Sequence, residues 1–93
     1  MQVVDNAGER RYELLIDGRV AGYTRYKRKG DLVLLMHTEI DPELEGKGLG
    51  SELVEGALAD IRARGLTVRP LCPFVQAWLR RHPEAADLVA PPA

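Results

Sequence analysis

The chain of 93 residues is 45% hydrophobic and 29% charged, with a net charge of −1. This size and composition predict one globular domain over residues 1–93 and exclude a disordered chain, which would be poor in apolar residues and high in net charge. The near-zero charge argues against a nucleic-acid groove. The longest uncharged apolar run, residues 32–36, is far shorter than the roughly 20 residues of a membrane-spanning helix.

The cysteine and histidine content bears on location and on metal binding. Cys72 is the only cysteine, so no disulfide can form within the chain, and His37 and His82 lie far from each other in sequence. Their spacing matches no metal-ligand pattern, which predicts no metal site. Because no basic and then apolar leader follows Met1, we expect a cytoplasmic protein.

The N-terminal half has the patterns of β-strands. Residues 11–17 alternate apolar and polar side chains, and Asp17-Gly18 is typical of a two-residue type I′ turn into a second strand over residues 19–28. After a turn at residues 29–31, a third strand over residues 32–40 begins with a run that is apolar on both faces. This run predicts a strand that is covered on both sides. The short turns predict an antiparallel three-stranded meander.

The C-terminal half changes to helical periodicity. Apolar residues recur every three or four positions over residues 49–64, which predicts an amphipathic helix. A short strand over residues 66–69 follows this crossover helix, so we expect it to pair parallel with the third strand. Pro73 begins a second helix that ends at His82-Pro83. The predicted fold class is α+β, with an ordered core over about residues 10–89 and a frayed C-terminal tail.

The connection between the third strand and the first helix is the segment with the clearest chemical signature. Over residues 41–51 it reads Asp-Pro-Glu-Leu-Glu-Gly-Lys-Gly-Leu-Gly-Ser, with three alternating glycines just before the helix. The first turn of a helix has main-chain amides without intrahelical partners and the positive end of the helix dipole. Glycines let such amides converge, so the loop predicts a site for a phosphate or diphosphate, to which Lys47 would add a charge.

Two common phosphate-binding motifs do not fit this loop. A P-loop requires a glycine where Asp41 stands and a serine or threonine where Gly48 follows the lysine. The dinucleotide fingerprint requires a third glycine at the position of Ser51 or Leu53. What remains is a Gly-x-Gly-x-Gly loop between a strand and an amphipathic helix.

This loop resembles the pyrophosphate loop of the GNAT acetyltransferase superfamily, Gln/Arg-x-x-Gly-x-Gly/Ala. The chain is similar to small GNAT-like N-acetyltransferase-domain proteins over residues 12–89, including His-Thr-Glu-Ile at 37–40 and Pro-Leu-Cys-Pro-Phe-Val at 70–75. The resemblance implies a short GNAT-like fold in which a meander, a crossover helix, a parallel strand and a C-terminal helix follow one another. It departs at Glu45, where the superfamily has Gln or Arg. A carboxylate would repel a pyrophosphate, so we expect Glu45 to point away.

The resemblance also implies site residues. The loop and the end of the third strand would bind the coenzyme through Ile40, Glu45, Gly46, Lys47, Gly48, Leu49, Gly50, Ser51 and Phe74. Glu39 is the candidate general base, with a solvated strand-end glutamate as the alternative, and His37 is a candidate proton relay. Cys72 precedes the second helix, whose dipole lowers a thiol pKa. It would either carry the acetyl group covalently or only line the cleft.

The implied function is transfer of an acetyl group from acetyl-coenzyme A, as donor substrate, to an amine. The helical segment that follows the first strand and covers the acceptor site in the superfamily is absent here, because Asp17-Gly18 closes that connection, so a protein lysine or N-terminus is a suitable acceptor. The alternative is a non-catalytic acyl-coenzyme A-binding or protein-interaction module. We expect no nucleic-acid, membrane or metal partner, and a monomer or a weak dimer through an exposed hairpin edge.

Overall fold

The structure, a computed structural model, describes residues 1–91, so the last two residues of the predicted tail lie outside the described residues. Five strands form one sheet in chain order: β1 (Gln2–Asn6), β2 (Arg11–Ile16), β3 (Arg19–Lys29), β4 (Leu32–Ile40) and β5 (Thr67–Pro70). Helix α1 (Leu49–Ala63) connects β4 to β5, and helix α2 (Pro73–Arg81) follows β5. Short 3₁₀ helices occur at Pro42–Leu44 and Pro83–Leu88.

The strand pairing confirms the predicted α+β fold. The sheet is antiparallel from β1 to β4 and parallel between β4 and β5, as the crossover helix implied. At the turn between β2 and β3, Asp17 and Gly18 have φ values of 53° and 78°, the left-handed values that a type I′ turn requires. Strand β1 is an additional element that the sequence analysis did not predict.

Both helices pack on the same face of the sheet and share one hydrophobic core. Leu53, Ala57 and Ile61 of α1 are fully buried because their spacing of four residues aligns them in one stripe that faces the sheet. Burial of a side chain such as Leu53 stabilises the fold by roughly 1.5–3 kcal/mol. From α2, Val75 and Trp78 are buried in the same core.

The opposite face of the sheet is not covered by a helix within residues 1–91. On β4, Val33 and Leu35 face the helices and are buried, whereas Leu32 and Leu34 on the other face are partly exposed. The prediction that this strand is covered on both sides is therefore wrong, because both helices pack against the same face. We call the uncovered side the open face.

Strand β4 contains a bulge that decides which side chains share a face. Arg25 pairs with His37, but the next residue of β3, Tyr26, pairs with Leu35, so Met36 is an extra residue. One extra residue reverses the alternation of the side chains that follow it. Thr38 consequently lies on the helix-covered face together with Leu35.

Strand β1 is in close contact with α1. A Cβ atom added at Gly56 would lie 2.5 Å from Cγ2 of Val3, which is closer than packed atoms approach. Gly56→Ala should lower the free energy of unfolding by about 1–2 kcal/mol, because this overlap exceeds the gain in helix propensity of about 1 kcal/mol. Urea denaturation of the variant measures the change.

Val3→Gly provides the control for that substitution, because it removes Cβ as well as both Cγ atoms of Val3, all of which the added Cβ would meet within 3.1 Å. In the Val3→Gly background Gly56→Ala should no longer lower the free energy of unfolding. Equal effects of Gly56→Ala in the two backgrounds would show that Val3 does not determine the need for glycine at this position.

Candidate functional site

A cavity of about 420 Å³ lies between the end of β4, the glycine loop and α2. It forms because β4 and β5 pair only as far as Leu35 and Pro70. The main-chain amides of Leu71 and Cys72 then both donate to the Leu35 carbonyl, at 2.9 and 3.1 Å. Beyond this point the chain turns into α2, while β4 continues to Ile40 without a partner on that side. We call this space the glycine-loop cavity.

The cavity brings together all but one of the residues predicted to bind the coenzyme. Those that line it are Ile40, Glu45, Gly46, Gly48, Leu49, Gly50, Ser51 and Phe74. Lys47 is exposed and is not among the lining residues. Glu45, which we expected to point away, lies in the cavity wall.

The lining also includes Thr38, Leu44 and Arg81, which the sequence analysis did not single out. Thr38 could not be found from alternation along β4, because the bulge changes the face on which it lies. The sequence did contain a pattern that could have indicated Arg81. Arg81 follows Phe74 by seven residues on α2, and this spacing places both side chains on one side of a helix.

The three glycines of the loop have two different structural roles. Gly46 and Gly48 have φ values of 83° and 74°, a left-handed conformation that side-chain-bearing residues rarely adopt. Gly50 lies within α1, where an added Cβ atom would be 2.6 Å from Cζ of Phe74. The first two glycines therefore shape the loop, and the third allows α1 to approach α2.

The main-chain amides of residues 46–51 have no protein acceptor. Within residues 1–91 none of these six donates a hydrogen bond, whereas the amide of the next residue, Glu52, donates to the Gly48 carbonyl at 3.3 Å. All of these residues except Lys47 line the cavity, at the positive end of the α1 dipole. Converging free amides at a helix N-terminus are suited to bind a diphosphate.

The first turn of α1 is fixed against α2 by one side-chain hydrogen bond. Nε1 of Trp78 donates to Oγ of Ser51 at 2.8 Å. On the other side of Trp78, the His82 ring stacks at 3.7 Å between centroids. Ser51 was predicted to contact the coenzyme. What the structure gives for its hydroxyl is the bond from Trp78, which positions the helix that carries the free amides.

Cys72 is not among the residues that line the cavity, but it contacts one of them, Thr38, and its surroundings favour the thiolate. The side chain is buried, and Sγ is 3.5 Å from Oγ1 of Thr38, which in turn is 3.0 Å from Oγ1 of Thr24. Burial alone would raise the pKa of the thiol. The Thr38 hydroxyl and the nearby main-chain amides of Val75, Phe74 and Thr38 favour the thiolate by more than burial disfavours it, so the pKa of the thiol lies below its ordinary value.

Glu39 lies on the open face and not in the glycine-loop cavity. Tyr23 Oη donates to its carboxylate at 2.7 Å, and His37 Nε2 is 3.3 Å away. These hydrogen bonds, that of Tyr23 first, hold the pKa of Glu39 below its ordinary value, which weakens it as a base. Glu39 lines a second cavity of about 230 Å³, which meets the first at Ile40.

Residues 1–91 contain no cluster of three or more histidine, cysteine, aspartate or glutamate side chains that could hold a metal ion. Neither helix in this part of the chain combines the length and the apolar character that spanning a membrane requires.

The sequence model of the GCN5-related N-acetyl-transferase family matches residues 11–88. Because this match covers most of the chain, the protein belongs to that family, and the resemblance found in the sequence is confirmed. The sequence matches no curated protein.

Two solved structures share the fold. A GCN5-like protein from Staphylococcus aureus, determined by NMR, is 18% identical with a TM-score of 0.72, over 99% of this chain and 90% of that chain. The ribosomal-protein-S18-alanine N-acetyltransferase from Escherichia coli is 26% identical with a TM-score of 0.59. That similarity covers 68% of this chain and 43% of the Escherichia coli protein.

Thr38 should set the reactivity of Cys72. In the structure the thiol donates to Oγ1 of Thr38, and this hydroxyl can donate in return once Cys72 has lost its proton. Thr38→Val removes the hydroxyl, so the pKa of the thiol should rise and the thiolate fraction at neutral pH should fall. Because Cys72 is the only cysteine, the rate of alkylation by iodoacetamide as a function of pH reports this group alone. The profile of Thr38→Val should shift to higher pH.

Thr38→Ser keeps the hydroxyl and serves as the matched control, so its profile should stay close to that of the unmodified protein. Superimposable profiles for the valine variant and the unmodified protein would contradict the assigned hydrogen bond.

Proposed function

We propose that this protein is an acetyltransferase that binds acetyl-coenzyme A in the glycine-loop cavity and transfers the acetyl group to an amine. The observation that carries the proposal is the row of free amides at residues 46–51, beside a cavity of about 420 Å³. Membership of the GCN5-related family supports the reaction class.

The geometry suggests how the coenzyme would lie. The amides of residues 46–51 would bind its diphosphate, with glycines allowing close approach. From this loop the cavity extends along Ile40 to Thr38, beside which Cys72 lies. The thioester end of the coenzyme would therefore reach the thiol.

Cys72 has the properties required of a nucleophile. Its thiolate would attack the acetyl carbonyl, forming an S-acetyl bond on Cys72 while the coenzyme leaves as its thiolate. The neutral amine would then attack this new thioester. The C–S bond would break, Cys72 would leave as its thiolate, and the nitrogen would lose one proton to water as the amide forms. The amine must be neutral to attack, although a lysine amine has a pKa of about 10.4. An S-acetyl intermediate separates this deprotonation from coenzyme departure.

The acceptor is expected to be an amine on a protein. Before β2 the described chain has strand β1 and a turn but no helix, so no helix shields the rim of the site. The name of the Escherichia coli neighbour describes acetylation of an alanine in a ribosomal protein. The interpretation of Glu39 as a base stays a prediction, and it requires the amine to approach from the open face.

Gly48→Val should abolish most of the coenzyme binding. A β-branched residue cannot adopt a φ of 74° without strain of about 1–3 kcal/mol, so the loop would change its path. Isothermal titration with acetyl-coenzyme A should show saturable binding by the unmodified protein. The variant should bind at least roughly tenfold more weakly.

Gly30→Val is the matched control for this test. Gly30 has a φ of 60° in the turn between β3 and β4, at the far end of β4 from Ile40. Gly30→Val should lower the free energy of unfolding by about as much as Gly48→Val does, and it should leave coenzyme binding unchanged. Unchanged binding by Gly48→Val, or equal losses in both variants, would refute the assignment of the site.

Cys72→Ala should lower turnover by roughly 100-fold or more if the acetyl group passes through the thiol. The assay measures coenzyme A release over a panel of amines, corrected for hydrolysis. Intact-mass analysis of the unmodified protein with acetyl-coenzyme A alone should reveal an acetyl adduct that Cys72→Ala lacks.

Full activity in Cys72→Ala would show that Cys72 only lines the cleft and that the amine attacks the coenzyme thioester directly. Saturable coenzyme binding without transfer to any amine would instead support the non-catalytic acyl-coenzyme A-binding module.

A further inference from the structure

We infer that Arg81 binds the ribose 3′-phosphate of coenzyme A and makes the site selective for coenzyme A over its 3′-dephospho form. This inference rests on the proposed function, and it adds to the site a residue outside the glycine loop. Arg81 is the last residue of α2 and lines the glycine-loop cavity.

The charges of the cavity wall support this role. Arg81 is the only cationic side chain among the lining residues, and Glu45 is the only anionic one. Coenzyme A carries a diphosphate and a separate 3′-phosphate, both of which Glu45 would repel. The free amides at residues 46–51 are neutral groups that suit the diphosphate, so a full positive charge is left for the second phosphate.

The guanidinium of Arg81 is available for a ligand. Among residues 1–91 it forms no ion pair, in contrast to Arg62, which pairs with Asp87, and Arg64, which pairs with Asp60. It is exposed, as expected for a group that meets the outer part of a long ligand. A guanidinium presents parallel N–H donors that match a phosphate group in a bidentate arrangement.

The position of Arg81 along α2 selects the 3′-phosphate and not the diphosphate. Phe74 contacts Gly50, and Trp78 donates to Ser51, so this stretch of α2 lies beside the free amides. Arg81 is three residues beyond Trp78, about 4.5 Å further along the helix axis. Cys72 lies at the opposite end of α2, before its first residue.

The site therefore presents three features in a fixed succession: the thiol of Cys72, the amides at residues 46–51, and the guanidinium of Arg81. Coenzyme A presents its thioester, its diphosphate and its 3′-phosphate in the same succession. One orientation of the ligand satisfies all three, and it places the acyl group next to the thiol.

Isothermal titration with coenzyme A and with 3′-dephospho-coenzyme A tests this inference. The unmodified protein should bind coenzyme A roughly tenfold more tightly than the dephospho form. Arg81→Ala should lose that preference by weakening coenzyme A binding roughly tenfold, while binding of the dephospho form stays within about twofold. Arg81→Lys should keep part of the preference, because it retains the charge but not the bidentate geometry.

Arg80→Ala is the matched control, since Arg80 is also exposed near the end of α2 but does not line the cavity. It should bind both ligands as the unmodified protein does. Equal weakening of both ligands by Arg81→Ala, or no preference in the unmodified protein, would overturn the role of Arg81 while leaving the proposed function in place. Failure of the unmodified protein to bind either ligand would overturn the proposed function and this inference together.

Discussion

The end of the pairing between β4 and β5 is the constraint on which the rest of the site depends. The Leu35 carbonyl accepts from the amides of both Leu71 and Cys72, so the parallel ladder stops there and the chain turns into α2. The remaining residues of β4 pair with β3 on one side only, and the gap on the other side of β4 is the glycine-loop cavity. The same turn places Cys72 next to Thr38.

The two helices hold the binding groups in place from the other side of the cavity. Gly50 allows the ring of Phe74 to pack against α1, and Trp78 donates to Ser51 in the first helical turn. Amides fixed in this way need not be ordered when an anion binds, so less conformational entropy is lost. The α2 helix thus joins the thiol, the amides and Arg81 in one rigid arrangement.

Glu39 and Cys72 lie on opposite sides of the sheet and have different surroundings. Cys72 is enclosed by hydrogen-bond donors on the helix-covered side, which stabilise a thiolate. Glu39 is exposed on the other side and is already engaged by Tyr23 and His37. Because Ile40 lines the cavities on both sides, an acceptor amine on the open face would meet the acyl group at that point.

The sequence by itself determined the α+β order of elements, the type I′ turn at Asp17-Gly18 and the glycine loop before α1. These depend on local periodicity and backbone preferences, which neighbouring residues suffice to specify. Strand β1 was missed because its close packing against Gly56 of α1 is a contact between distant parts of the chain.

Only the tertiary structure decided which side chains face the cavity. The extra residue Met36 in β4 turns Thr38 inward and Glu39 outward, and a bulge depends on the register with β3, which no local pattern records. The covering of β4 on a single face likewise follows from the packing of both helices on the same side of the sheet, and the position of Arg81 at the cavity follows from how α2 packs against α1. Such packing is a property of contacts between distant segments, and for this reason residue spacing alone did not predict it.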